Sequence, residues 1–191
     1  KQLGTAAVNT DIAGRAYQIE ALRAMGDAFD RGHRGALLVM ATGTGKTRTA
    51  AAAVELLSKA GWVKRVLFLA DRNALVTQAK ESFNEQLPNY PAVDLTKEKK
   101  NDTARVVFST YQTMIRLIDG ERDGDSRYFG VGHFDLIIFD EIHRSVYNKY
   151  QAIFNYFDGL RLGLTATPKS DGDKDTYALF HLQPGAPTFA Y

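Results

Sequence analysis

Apolar residues cluster in five short runs along the chain: Gly35 to Met40, Arg65 to Ala70, Ala104 to Ser109, Phe134 to Phe139 and Arg161 to Thr165. Val, Ile, Leu and Phe dominate them, as in strands covered on both faces. Helix-compatible segments separate the runs, at Thr47 to Ala60, Ala74 to Gln86, Tyr111 to Ile118 and Tyr147 to Phe157. An earlier helix is predicted over Tyr17 to Arg31, ended near Gly32. Strand followed by helix, repeated, predicts crossover connections and an α/β fold with a mostly parallel central sheet. Two stretches break the pattern. Asp119 to Arg127 is polar and glycine-bearing, and Lys97 to Asp102 is a charge run; both read as solvated loops. After Pro168 the chain turns polar and then ends in aromatics and prolines, so 169–191 reads as a tail leading toward a second domain.

The 191 residues suit one α/β domain spanning 1–191, with 45% hydrophobic and 24% charged residues. The first residue is Lys1, which suggests a piece of a longer protein. No apolar run is long enough to span a bilayer and no signal pattern opens the chain, so no membrane partner is expected. The chain has no cysteine. That excludes disulfides and thiolate metal sites and fits a cytoplasmic protein. A formal charge of +2 is nearly neutral, so any nucleic-acid contact must come from local sites.

The most informative local site runs from Val39 to Thr47, where a strand passes into a helix. Gly43 and Gly45 let the backbone curl its amides inward toward phosphate oxygens. Lys46 brings a cation to the β- and γ-phosphates, and the Thr47 hydroxyl can ligate Mg²⁺. The helix start adds its positive dipole end. Met40 stands where the general phosphate-loop pattern has its first glycine.

A second site follows the run Phe134 to Phe139, in Asp140-Glu-Ile-His143. Asp140 falls at the carboxyl end of a strand, the edge where α/β sheets bind ligands, and suits Mg²⁺ directly or through water. Glu141 is placed to orient and deprotonate an attacking water. His143 could sense the γ-phosphate or simply satisfy local polar groups.

Together these features resemble superfamily 2 helicases and translocases. Arg15-Ala-Tyr-Gln18 is similar to that family's adenine-recognition motif, in which the amide of Gln18 would read the adenine edge. Asp140 to His143 matches motif II in its Asp-Glu-x-His form. Leu164-Thr-Ala-Thr-Pro168 matches motif III, which implies that Thr165 and Thr167 couple the nucleotide site to domain movement. Leu69 to Gln78 and Ser109 to Thr113 resemble motifs Ia and Ib. The wording of these motifs looks like the motor subunits of type I restriction enzymes.

The resemblance implies a three-layer, RecA-like P-loop NTPase domain, the first of two. It implies an ATP hydrolase coupled to DNA translocation, with ATP and Mg²⁺ as cofactors. The nucleotide-binding set would comprise Arg15, Tyr17, Gln18, Met40, Ala41, Thr42, Gly43, Thr44, Gly45, Lys46, Thr47 and Arg48. Thr47 and Asp140 would hold the metal, and Lys46, Asp140, Glu141 and His143 would carry catalysis. The implied partners are double-stranded DNA and the specificity and methylation subunits of a restriction complex. Nothing in the chain supplies a nuclease site.

For DNA, Arg72 follows a strand end, and Thr110 and Gln112 sit at a strand-to-helix junction. All three could reach backbone phosphates, contacts that are sequence-independent and salt-sensitive. Arg72 could equally pair with Asp71. Three other readings remain open: a repair or RNA helicase of the same superfamily, a non-hydrolytic nucleotide-binding module, and a metabolic P-loop kinase.

Overall fold

The computed structural model describes residues 2–41, 45–120, 122–123, 126–142, 144–166, 180 and 187–190. In chain order they form α1 (Ala16–Asp30), β1 (Gly35–Val39), α2 (Lys46–Lys59), β2 (Val66–Ala70) and α3 (Asn73–Gln86). There follow β3 (Ala92–Asp94), β4 (Val106–Thr110), α4 (Tyr111–Asp119) and a small hairpin, β5 (Arg122–Asp123) with β6 (Ser126–Arg127). The chain continues through β7 (Leu136–Phe139), α5 (Arg144–Tyr156), β8 (Leu160–Thr165) and β9 (Phe189–Ala190). Seven strands make one sheet in the order β3-β4-β2-β7-β8-β1-β9, with every pairing parallel.

The alternation of side chains along each strand explains the layers. Ala36 and Leu38 of β1, Phe68 of β2 and Ile138 of β7 face one core, with Leu22 of α1, Leu57 of α2 and Phe83 of α3. Leu37 and Val39, Leu67 and Leu69, and Ile137 and Phe139 face the other, with Met114 of α4 and Phe154 of α5. Both faces are therefore covered, which is why the runs read as continuously apolar rather than alternating. Each such side chain contributes about 1.5–3 kcal/mol when fully buried, well above any helix-propensity difference, so packing decides the element boundaries. The fold is α/β, in three layers, as expected.

Four features depart from the sequence-based expectation. β3 lies in a stretch with no strand-like pattern; three residues give no period to read, and β4 supplies their pairing. Within 119–127, expected to be a loop, two-residue strands pair as a hairpin. α5 begins at Arg144 rather than Tyr147, immediately beyond the acidic turn. Part of the tail also belongs to this domain. Phe189–Ala190 pairs with β1, Thr188 Oγ1 accepts a hydrogen bond from Leu37 N at 2.9 Å, and Phe180 is buried against Gly35 and Gly163. β1 is apolar on both faces, and an uncovered edge there would expose unpaired backbone groups. Among the described residues no helix is long and apolar enough to cross a membrane.

Candidate active site

The carboxyl ends of β1, β8 and β7 lie side by side, with β8 in the middle. At about 4.8 Å per strand, the ends of β1 and β7 are roughly 10 Å apart, a gap one lysine side chain can bridge. Lys46, the first residue of α2, bridges it. Its ammonium is ion-paired to Glu141 and lies 3.8 Å from Asp140 Oδ1.

Gly45 caps α2 in the left-handed region, φ 79° and ψ 42°. Its carbonyl accepts from Thr49 N at 3.0 Å and Thr49 Oγ1 at 2.9 Å. That φ favours glycine, and a Cβ here would stand 2.6 Å from Gln18 Nε2, so the Gln18 amide would have to shift away from the Gly45 carbonyl. Thr47 lies one residue into the helix, half-buried.

Asp140 is fixed by its amide, which donates to Leu69 O at 2.9 Å. Its Oδ1 accepts from Glu141 N at 3.0 Å, and its carbonyl accepts from the Tyr111 hydroxyl, also at 3.0 Å. Glu141 has φ 49°, the only positive φ of a non-glycine among the described residues. A side chain in this region costs about 1–2 kcal/mol, so neighbouring bonds must hold the turn. Ile142 N donates to Leu164 O, and Met40 N donates to Thr165 O at 2.9 Å, tying both site loops to β8.

Burial raises the Asp140 carboxyl to about 6; the Lys46 ammonium opposes the rise and the Glu141 carboxylate adds to it. Burial also pushes the Tyr111 phenol well above its usual range, reinforced by Asp140, Asp71 and Glu141. Tyr111 is thus a fixed donor at any working pH. A buried carboxyl raised in this way, beside an ion-paired lysine at the carboxyl edge of the sheet, marks a candidate functional site.

Gln18 lies beside this site. It is 4% exposed, accepts from Arg15 N at 3.2 Å and directs Nε2 toward Gly45 O at 3.5 Å. Gln18 and Gly45 line a cavity of about 220 Å³ with Thr10, Asp11, Gly14 and Arg48. Arg15 donates to the Tyr17 hydroxyl at 3.0 Å, and Arg48 to Asp11 O at 3.4 Å. Thr10, Asp11 and Gly14 carry no signal in the sequence. Their segment precedes the first helix, and no spacing rule marks it. It is anchored from afar: Asp30 accepts from Leu3 N and Gly4 N at 2.8 and 2.7 Å, and Asn9 donates to Glu55.

The structure also places the remaining predicted residues. Met40 is buried in the core, which explains how a large side chain stands in the glycine position, whereas Ala41 is exposed. Thr165 is buried at the end of β8. Thr42, Gly43, Thr44, His143 and Thr167 lie outside the described residues. Arg72 is exposed at the start of α3 and, among the described residues, makes no ion pair with Asp71. Gln112 is exposed on the first turn of α4. Thr110 needs correction: it is 3% exposed, and its hydroxyl accepts from Thr113 N at 3.1 Å. It is the helix cap, turned inward, rather than a surface donor.

The residues fit a magnesium-bound nucleoside triphosphate: a left-handed glycine opening a helix, an ammonium, and two carboxylates beside it at the carboxyl edge of the sheet.

Comparison with known proteins identifies a family. The family described as type III restriction enzyme, res subunit, matches residues 11–170. The endonuclease subunit of the type I restriction enzyme EcoAI from Escherichia coli is 36% identical over 183 residues, 93% of this chain and 22% of that protein. The chain thus spans about a fifth of that relative's length. A fragment described as an HsdR subunit of a type I restriction enzyme from Vibrio vulnificus YJ016 superposes with a TM-score of 0.72 at 26% identity. That match covers 100% of this chain and 32% of the other. The Hef helicase domain of Pyrococcus furiosus gives a TM-score of 0.66 at 27% identity, covering 92% of this chain and 39% of that one.

Proposed function

Because this chain belongs to the family described as type III restriction enzyme, res subunit, we propose that it is the ATP-binding, first RecA-like domain of a DNA-translocating restriction subunit. The subunit would be of the type I class, as in the E. coli relative. The observation that carries the reading is the convergence of Lys46, Asp140 and Glu141 at one edge of the sheet.

Each group has a task. The amides opening α2, with Gly45, face the triphosphate, and the Gln18 cavity takes the adenine. Lys46 exchanges Glu141 for phosphate oxygens, which leaves the Glu141 carboxylate to orient a water and accept its proton. Thr47 and Asp140 would hold Mg²⁺, which when bound offsets charge on the phosphate oxygens. Charge on the transferring phosphoryl group also calls for an arginine from a second RecA-like domain, so the isolated 191 residues should turn over ATP slowly. Double-stranded DNA, tracked through its backbone, is the proposed track, and specificity and methylation subunits the proposed partners.

The test is ATP turnover by the complete protein with and without duplex DNA, alongside Lys46→Ala. We expect DNA-stimulated turnover in the parent and its loss in the variant. Turnover that ignores DNA, or that survives Lys46→Ala, refutes the reading.

A further inference from the structure

The peptide linking Asp140 to Glu141 is held at both ends. Its carbonyl accepts from the Tyr111 hydroxyl at 3.0 Å, and its N–H donates to Asp140 Oδ1 at 3.0 Å. The tilt of this one peptide therefore sets both the carboxylate of Asp140 and the left-handed φ of Glu141, 49°. Release of the carbonyl would let the peptide rotate, relax the Glu141 backbone and unlock the Asp140 carboxylate together. Tyr111 provides the one side-chain bond to that carbonyl among the described residues.

Tyr111 is not itself at the reacting centre. It is fully buried as the first residue of α4, directly after the Thr110 cap and directly before exposed Gln112. Its ring stacks on Tyr150, with centroids 5.5 Å apart and planes 15° from parallel. Tyr150 occupies the kink of α5, φ −118° and ψ 27°, in the helix that begins just past the acidic turn. Among the described residues the Tyr150 hydroxyl has no hydrogen-bond partner, so ring contact is what joins the two tyrosines. Tyr111 thus touches the acidic turn at its start through a hydrogen bond and beyond its end through a stack. The first turn of α4, where Gln112 faces outward, cannot shift without carrying that phenol along.

We propose that Tyr111 is the positioning residue by which DNA at the β4–α4 junction controls the acidic turn. Its phenol holds the Asp140–Glu141 peptide in the setting that gives Glu141 to Lys46, and displacement of α4 by the DNA backbone resets it. This rests on the motor reading above and adds the route by which the track governs turnover.

The experiment measures ATP turnover of the complete protein, with and without duplex DNA, for the parent, Tyr111→Phe and Tyr150→Phe. Tyr111→Phe keeps the ring and the stack and removes only the hydroxyl. With the peptide released, turnover without DNA should rise toward the parent's DNA-stimulated rate, so the factor by which DNA stimulates kcat falls about tenfold or more while the KM for ATP stays level or falls. Tyr150→Phe keeps the ring contact and should retain stimulation. Two results overturn the proposal: stimulation by DNA within about twofold of the parent in Tyr111→Phe, or basal and stimulated rates falling by the same factor. The second would make the hydroxyl a structural tie and no more. Should Tyr111→Phe fold poorly by thermal melting, hydrogen exchange of the Glu141 amide in the parent, with and without duplex DNA, takes its place: faster exchange with DNA supports the proposal, and unchanged exchange overturns it. A parent that DNA does not stimulate defeats the motor reading itself, whereas a stimulated parent with an indifferent Tyr111→Phe defeats this inference alone.

Discussion

Lys46 and Glu141, 95 positions apart in the chain, form an ion pair at the carboxyl edge of the sheet. One ammonium cannot give its full attraction to a carboxylate and to a triphosphate at once. The pair therefore sets a competition: the group proposed to activate water is withheld until phosphate takes the lysine.

That competition separates binding from chemistry in Glu141→Gln. Removing the charge releases Lys46, so the KM for ATP should stay level or fall. Loss of the base should lower kcat about 10²-fold or more. Steady-state kinetics on the complete protein checks both. Unchanged kcat would remove Glu141 from catalysis.

The Asp140 carboxyl, raised to about 6 by burial, predicts a pH dependence of definite sign. The folded state holds this proton more tightly than the unfolded chain does. In EDTA the group's contribution to stability is therefore greatest below the unfolded value near 3.8 and is lost as pH rises through about 6. Asp140→Asn should flatten that part of the pH–stability curve, measured by urea titration at several pH values. Mg²⁺ binding, which needs the carboxylate, should instead weaken as pH falls through the same range, as calorimetry would show. An Asp140→Asn curve parallel to the parent's would contradict the assignment.

Gly45→Ala tests the close approach between the helix cap and Gln18. The new methyl meets Gln18 Nε2 at 2.6 Å and takes a φ of 79°. The backbone strain alone should cost about 1–2 kcal/mol of stability. Nucleotide affinity should fall too, because Gln18 lines the neighbouring cavity. Thermal melting and fluorescent-nucleotide titration give the two readouts, and a variant that melts and binds like the parent would reject the close-approach explanation.

Arg72 and Gln112 are exposed where β2 and β4 lead into their helices. Arg72→Ala should weaken DNA binding equally on unrelated sequences and lower the slope of log affinity against log salt by about 1. Gln112→Ala, which removes no charge, should weaken binding without altering the slope. Sequence-dependent losses in either variant would mean base contact rather than backbone contact.

Much of the site is legible in the sequence because its parts are local. Gly45, Lys46 and Thr47 lie within one strand-to-helix turn, and Asp140 and Glu141 directly follow another strand, so residue type and spacing already constrain their backbone. Thr110 misleads for the converse reason. Its position at a strand end is local, but whether its hydroxyl faces solvent or caps α4 depends on how that helix packs.

The sequence by itself determined the alternation of strand and helix, the start of α2 after Gly45 and the acidic residues at the end of β7, since each follows from short-range pattern and backbone sterics. Tertiary structure decided the pairing of Lys46 with Glu141, the Tyr111 bond to Asp140, the Thr10–Asp11 wall of the Gln18 cavity and the seventh strand from the tail. Those contacts join segments distant along the chain, and only close packing of two helical layers onto one sheet brings them within bonding distance.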